Sequence, residues 1–360
     1  MKIAFVISSL SNGGAEKIIS LLANYFVQCN EVSLILLCKK EIVYDIDNNI
    51  NLVELNSCKN SVNIIDGIKN NINRYKELKN QIIEIKPDLI ISFLTQTNIL
   101  SILVAKSLHI PIIASERSIY ASQKSKIWQG LRKYIYKKAN YIVTQTLADL
   151  KNYTFLDTIQ NIYNPLLINN KNNNLIKNRE DIVLAVGRLH NVKQFDVLIK
   201  VFSQIETEYK LVILGEGNKR NNLEKIIKEK NLEKKVFLKG QVKNVNEYYQ
   251  KSKIFVLSSK YEGFPNALLE AMSNGCACIS FDCPYGPNEI ITNKKDGILV
   301  KNQDQDELKR AIESLIRDES YQQKLSINAI ENSKRFDYKN IMQEWENLID
   351  EVVEGNKCVG

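Results

Sequence analysis

A chain of 360 residues, 44% hydrophobic and 25% charged, is too long for one average domain and has the balance of a globular protein with two or three domains. No run approaches 18 uninterrupted apolar residues, so the composition excludes a membrane-spanning helix as an expectation. The formal charge of +8 is uneven: residues 1–164 hold 19 Lys and Arg against 13 Asp and Glu, whereas residues 165–360 hold 30 against 28.

Met1-Lys2 leads straight into an apolar run, Ile3 to Ile7, with no small-residue cleavage site behind it, so a first strand is expected and not a signal peptide. The first half then offers strands at Lys2–Ile7, Val32–Leu37, Leu52–Leu55, Leu89–Ser92, Ile112–Ser115, Tyr141–Thr144 and Ile159–Tyr163. Helical periodicity at Ala15–Phe26, Ile64–Ile85 and Asn98–Ser107 falls between them, the pattern of a parallel sheet covered on both faces. Tyr163-Asn164-Pro165 ends this half, and the polar, aperiodic Asn169–Asn174 reads as a linker.

The second half repeats the alternation. Strands are expected at Ile182–Val186, Leu211–Leu214, Val236–Leu238, Ile254–Leu257, Ala277–Ser280 and Ile298–Val300, and helices near Phe195–Ile205, Asn221–Lys230, Asn246–Lys251, Asn266–Asn274 and Asp306–Ile316. A last helix is expected over Tyr338–Val353. The domains are therefore 1–165, a linker over 166–180, 181–336, and a C-terminal helical segment 337–360 that can cross back to the first domain.

Three turns after strands can carry phosphate chemistry. Ser11-Asn12-Gly13-Gly14-Ala15-Glu16 follows the first strand, and its paired glycines allow a ligand close to backbone N–H groups. Gly187-Arg188-Leu189-His190-Asn191-Val192-Lys193 places two cations five residues apart, a planar fork and a point charge suited to a diphosphate. Lys260-Tyr261-Glu262-Gly263-Phe264-Pro265-Asn266-Ala267 turns from strand to helix, with Gly263 allowing close approach and Pro265 suited to a helix start whose free N–H groups favour an anion. Glu262 and Glu270 beside such a site suit sugar or ribose hydroxyls, or else they are ordinary solvated glutamates. Gly215-Glu216-Gly217 reads as a tight turn. Neither a G-x-G-x-x-G fingerprint nor a Walker A sequence is present, and no acidic D-x-D pair sits on these turns, so no metal site is expected.

The seven cysteines form no zinc-like array and are expected to be reduced and mostly buried, in a cytoplasmic protein. Arg117 to Ala148 contains no acid but carries Arg117, Lys124, Lys126, Arg132, Lys133, Lys137 and Lys138, with Ile127, Leu131, Tyr134 and Ile135 at helical spacing. It reads as a basic amphipathic helix for an anionic membrane surface, or as a packed helix with a solvated basic back. His109 and His190 stand outside any constellation and are expected to be non-catalytic.

Taken together, G-G-A-E at 13–16, S-E-R-S at 115–118, N-P at 164–165, V-G-R-L at 186–189 with Lys193, L-G-E-G at 214–217, E-G-F-P-N-A-L-L-E at 262–270 and D-G-I-L-V at 296–300 resemble the retaining, nucleotide-sugar-dependent glycosyltransferases of family 4. The Ser-Glu-Arg-Ser run and the segment Asp282–Ile291 are similar to those of the amylovoran-type exopolysaccharide and O-antigen enzymes. The resemblance implies an α/β GT-B fold, two Rossmann-like doubly wound parallel-sheet domains facing a central cleft. It implies transfer of a hexose or N-acetylhexosamine, galactose or N-acetylgalactosamine favoured, from a UDP-sugar to a polyprenyl-diphosphate-linked oligosaccharide in capsule, O-antigen or exopolysaccharide synthesis. No cofactor or metal is implied, and the expected place is the inner face of the cell membrane.

By the same resemblance, Arg188 and Lys193 bind the donor diphosphate, Glu262 with Gly263, Phe264, Pro265, Asn266 and Ala267 faces donor sugar and phosphate, and Glu270 holds the ribose. Gly14 admits the donor phosphates, while Glu116 and Arg117 stand where sugar or acceptor is met; many relatives have histidine at the position of Arg117. Two other classes share parts of this pattern: a nucleotide-sugar epimerase of the same fold, and a basic protein that binds nucleic acid or membrane without catalysis. The Glu262–Glu270 segment and the basic helix favour the transferase, with no nucleic acid partner.

Overall fold

The computed structural model describes residues 1–11, 13–58, 62–120, 125–167 and 179–357. Asn12, the linker stretch Asn169–Asn174, Lys124 and Cys358 lie outside the described residues. The chain divides into two compact units, one formed by Met1–Pro165 with Lys339–Gly360 and the other by Leu166–Tyr338.

In the first unit the elements run β1 (Lys2–Ile7), α1 (Gly14–Phe26), β2 (Glu31–Leu36), β3 (Asn51–Glu54), α2 (Ile64–Ile85), β4 (Leu89–Phe93), α3 (Thr95–Leu108), β5 (Ile112–Ser115), α4 (Lys126–Tyr136), β6 (Tyr141–Thr144), α5 (Leu147–Leu150) and β7 (Ile159–Asn161). The second unit continues β8 (Glu180–Val186), α6 (Phe195–Phe202), β9 (Lys210–Leu214), α7 (Arg220–Glu229), β10 (Val236–Gly240), α8 (Val245–Lys251), β11 (Ser252–Leu257), α9 (Asn266–Ser273), β12 (Ala277–Asp282), α10 (Pro287–Ile290), β13 (Ile298–Lys301), α11 (Gln305–Arg317) and α12 (Glu319–Ser333). The last helix, α13 (Tyr338–Lys357), clusters from Lys339 onward with the first unit, where the Trp345 ring stacks on Phe93 at 6.4 Å.

Both sheets are wholly parallel and share one strand order. The first runs β3-β2-β1-β4-β5-β6-β7 and the second β10-β9-β8-β11-β12-β13. Each therefore reverses direction beside its own first strand, between β1 and β4 in one unit and between β8 and β11 in the other. In such sheets the loops leaving the carboxyl ends of those two strands diverge and open a crevice.

The strands are near-continuous apolar runs because helices cover them: β1, β4 and β5 bury almost every residue, and α6 buries Phe195, Leu198, Ile199, Val201 and Phe202 against the second sheet. Helix α12 had no expected counterpart. Its buried positions, Gln322, Leu325, Ser326, Ala329 and Ser333, keep helical spacing but are mostly small or polar, so the face is present without an apolar signal.

The expectation of reduced cysteines is corrected for one pair. Cys38, just past β2, and Cys58, just past β3, are joined by a disulfide with Cα atoms 5.0 Å apart, because adjacent parallel strands deliver both residues to the same edge. Cys29 is exposed, while Cys276, Cys278 and Cys283 are free and buried.

Candidate active site

In the second unit the loop after β8 holds Arg188 and Lys193, and the loop after β11 holds Glu262. Three contacts tie the two loops together. Lys260 donates its N–H to the Val192 carbonyl at 2.8 Å, the Ser258 hydroxyl donates to the Lys193 carbonyl at 2.8 Å, and Lys193 Nζ meets Glu262 Oε1 at 2.6 Å. Both charged side chains are largely shielded from solvent, so each is held in place by the other. Arg188 is exposed beside them, and no ion pair engages it among the described residues.

The Gly215-Glu216-Gly217 turn is more than a turn. Gly187 donates to the Leu214 carbonyl, Leu189 to Glu216 and Gly215 to Gly240, which extends the sheet ladder into the loops. Gly215 has φ +129°, and a Cβ there would lie 2.0 Å from the Gly187 carbonyl oxygen, so only glycine lets the loop after β9 lie against the Arg188 loop.

The E-G-F-P turn is fixed from below and beside. Phe264 is buried against the Phe336 ring at 5.7 Å, and α9 buries Leu268, Leu269, Ala271 and Met272. The turn is further closed by Gly286, at φ +93°, where a Cβ would come within 2.5 Å of Pro265 Cδ. This places Asp282–Pro287 against the turn, with the Cys283 thiol pushed up to about 12 by burial and by Glu262 nearby. Glu270, about one turn into α9, accepts a hydrogen bond from the Tyr249 hydroxyl at 3.2 Å. Tyr249 is fully buried, so the carboxylate has a rigid partner. Sequence reasoning missed Tyr249, Ser258 and Gly286. Tyr-Gly-Pro after a strand was a usable signal for the last, whereas nothing local marks the other two.

The start of α9, with Asn266 and Ala267 half-buried and the Asn266 and Leu268 N–H groups bonded to the Phe264 and Pro265 carbonyls, turns the positive end of the helix dipole toward the loop that holds the shielded carboxylate. Such a set can neutralise a diphosphate and accept hydrogen bonds from hydroxyls. His190 serves structure: its Nδ1 accepts the Val192 N–H at 3.4 Å, capping a short turn. Among the described residues, no cluster of three or more His, Cys, Asp or Glu could hold a metal ion.

In the first unit, Gly13 after β1 is gripped by Tyr44, whose hydroxyl donates to the Gly13 carbonyl at 2.7 Å and accepts its N–H at 3.1 Å. Gly14 is exposed at the start of α1. Glu116 is fully buried; its Oε2 accepts from the Thr95 and Tyr136 hydroxyls, both at 2.8 Å, and its Oε1 from the Ser118 N–H at 3.1 Å. Burial raises its pKa in spite of these bonds. Arg117 donates Nε to Ser115 Oγ at 2.8 Å and Nη1 to Asn164 Oδ1 at 2.6 Å, and its guanidinium lies over Phe93 at 5.2 Å and Trp345 at 5.8 Å. Burial lowers its pKa to about 9, against the opposing pull of Glu116. The S-E-R-S and N-P segments thus meet through one hydrogen bond.

The basic helix divides. Lys126, Lys133 and Lys137 are exposed, and Lys138 lies over the Tyr134 ring at 4.6 Å. Arg132 is not among the surface cations expected of it. It is fully buried, stacked on Tyr120 at 3.7 Å and donating Nη2 to the Tyr120 carbonyl at 3.1 Å. It shares the inward face of α4 with Ile135 and Tyr136, one turn away. Among the described residues no helix is long and apolar enough to cross a membrane.

Residues 168–332 match the family Glycosyl transferases group 1. Over 98% of this chain and 99% of the other, the sequence is 32% identical to a Campylobacter jejuni alpha-1,4-N-acetyl-D-galactosaminyltransferase named for a GalNAc-alpha-(1->4)-GalNAc-alpha-(1->3)-diNAcBac-PP-undecaprenol acceptor. It is 26% identical to the amylovoran biosynthesis glycosyltransferase AmsD of Erwinia amylovora, over 97% of this chain and 99% of AmsD. The fold matches that of Anabaena HepE, solved in complex with UDP, with a TM-score of 0.81 over 98% of this chain and all of HepE, at 16% identity. With two parallel sheets of seven and six strands and full-length kinship above 30%, the chain has the GT-B fold and belongs to the group 1 glycosyl transferases.

Proposed function

We propose that this protein is a retaining family 4 glycosyltransferase that moves a hexose or N-acetylhexosamine from a UDP-sugar to a polyprenyl-diphosphate-linked oligosaccharide during synthesis of a bacterial surface polysaccharide. The observation that carries the reading is the Lys193–Glu262 pair at the second unit's switch point, beside the start of α9. The printed activity of the Campylobacter relative supports the lipid-diphosphate acceptor and the N-acetylgalactosamine class, and the UDP held by HepE supports the carrier.

The roles proposed are those the family resemblance implies. Arg188 and Lys193 neutralise the diphosphate as the bond from sugar C1 to phosphate oxygen breaks and the electron pair leaves with UDP. The acceptor hydroxyl attacks the same face of C1 and passes its proton to the departing phosphate oxygen, so no protein nucleophile is used. Glu262 and the backbone from Gly263 to Ala267 hold donor sugar and phosphate, and Glu270, braced by Tyr249, receives the ribose hydroxyls. Gly14 gives the phosphates room, and Glu116 and Arg117 stand at the acceptor side. No metal or other cofactor takes part in this reading. The protein works peripherally on the cytoplasmic face of the membrane, with Lys126, Lys133, Lys137 and Lys138 toward anionic lipid and with nucleic acid not a partner. The test is a thermal-shift screen against UDP, GDP, ADP and their sugars. Stabilisation by UDP and one UDP-sugar, lost in Glu270→Ala, is the expected result; indifference to every nucleotide would remove the reading.

A further inference from the structure

An apolar groove of about 490 Å³ runs over α3 in the first unit, walled by α2 on one side and α4 on the other. Its volume falls within the roughly 300–1,000 Å³ of small-molecule sites. The floor is Ile99, Leu100 and Leu103, and Ile72, Trp128 and Leu131 stand in the walls. Apolar residues continue beyond both walls onto the surface. Ile65, Ile68 and Ile72 follow one face of α2, and Ile127, Leu131 and Tyr134 one face of α4, every one of them exposed. Three-and-four spacing on two flanking helices makes a continuous apolar lip, which a protein in water has no reason to carry without a partner.

The ends of the groove differ. One opens among Ser8, directly after β1, and Gln96 and Thr97 in the first turn of α3, directly after β4. That is the switch point of the first sheet. Charge is one-sided as well: among the described lining residues Arg74 is the one ionisable side chain apart from Tyr75 and the disulfide-bonded cysteines, and no carboxylate is present. The exposed Lys133 and Lys137 belong to α4, in a segment without acids. An apolar groove that starts at a polar crevice, and whose charged lining residue is a cation, matches an anionic amphiphile with a hydrocarbon tail.

We propose that this groove takes the hydrocarbon chain of the lipid-diphosphate acceptor, drawn from the membrane, with the head group at the β1–β4 crevice. The identity of the lipid rests on the transferase reading; the groove itself does not. The tail, in addition to the sugar, is then a determinant of acceptor recognition. A second copy of this chain is the other occupant the lip could serve, but the cavity has the size of a ligand site.

The full chain carries its own reporter, since Trp128 lines the groove and the other tryptophan, Trp345, is buried in the core. Farnesyl diphosphate should shift the emission of the purified protein to the blue, inorganic diphosphate should leave it unchanged, and Trp128→Phe should remove the response. Leu103→Glu on the floor and Ile72→Glu in the wall, both solvent-exposed positions that tolerate a charge when the groove is empty, should each weaken farnesyl diphosphate binding roughly tenfold or more. An equal response to inorganic diphosphate, or no response while wild-type protein still binds UDP, overturns the groove and leaves the transferase standing. Concentration-dependent dimerisation that buries Trp128 without lipid also overturns it and gives the lip to a second copy. Failure of the wild type to bind UDP, with the farnesyl response intact, strikes the donor reading and not the groove.

Discussion

Lys193 Nζ lies 2.6 Å from Glu262 Oε1 across 69 residues of chain, and the two reach each other because β8 and β11 are neighbours in the sheet although two β-α units separate them in sequence. The pair presets one positive and one negative group at the mouth of the crevice. Lys193→Ala or Glu262→Ala should reduce sugar transfer by roughly 10²–10³-fold, the usual loss when one preorganised charge is removed from a site of developing charge. Because the pair is shielded but not sealed, unfolding free energy should fall by only about 1–3 kcal/mol, less than for a fully buried pair. Urea melts beside rate assays check this; an active variant of either kind would sink the assignment.

Gly215→Ala should damage donor binding without touching a donor-binding side chain. The new methyl meets the Gly187 carbonyl oxygen at 2.0 Å and the backbone stands at φ +129°, so the loop after β9 must move away from the Arg188 loop. The cost should be about 1–3 kcal/mol of stability and a clear loss of UDP affinity. Isothermal titration with UDP decides it, and wild-type affinity in the variant would mean that the loop contact is incidental.

Arg132 and its neighbours on α4 should separate cleanly. Arg132→Ala removes a guanidinium stacked on Tyr120 and bonded to its carbonyl, and should lower stability by about 2–4 kcal/mol. Lys133→Gln with Lys137→Gln should change stability by no more than about 0.5 kcal/mol. The double variant should nevertheless weaken binding to phosphatidylserine vesicles by on the order of 1 kcal/mol per lysine, more so at low salt. Vesicle binding that survives the double substitution would place the membrane contact elsewhere.

Asp149 ties stability to pH. Burial raises its pKa from 3.8 to about 6, with the Tyr120 N–H bond opposing and Glu116 nearby reinforcing. Between these values the folded protein holds a proton that the unfolded chain has released, so stability falls as pH rises through the window and levels off above about 6. Glu116 is shifted in the same direction, again by burial first. Asp149→Asn should flatten part of the slope of unfolding free energy between pH 4 and 6, by on the order of 1–3 kcal/mol. Parallel pH profiles for the two proteins would contradict the shift.

The Cys38–Cys58 bridge closes a loop of 20 residues. Cys38→Ser should cost roughly 3 kcal/mol in non-reducing buffer and little once dithiothreitol has reduced the parent. Equal stability of parent and variant without reductant would show that the bridge contributes nothing.

Much of the fold was legible because strand and helix periods are local. Lys2–Ile7, Ile64–Ile85, Ile112–Ser115 and Tyr141–Thr144 have the expected limits, since each is a run whose apolar period ends at a turn residue. The phosphate turns were also legible, as glycine and proline mark backbone conformations that other residues resist. Helix α12 was not, for its buried face is built from Gln322, Ser326, Ala329 and Ser333. The side of α4 on which each cation lies was equally hidden, because an arginine stacked in a core and one facing solvent are the same letter.

What the sequence determined by itself was therefore the alternation of elements, the positions of the turns and the family resemblance they carry. Tertiary structure decided which of those turns meet. Strand order brought Lys193 to Glu262, Arg117 to Asn164 and Cys38 to Cys58, and it turned Arg132 inward while leaving the α2 and α4 stripes uncovered. These are contacts between residues 20 to 69 apart, set by which strands lie side by side, and no local period encodes that choice.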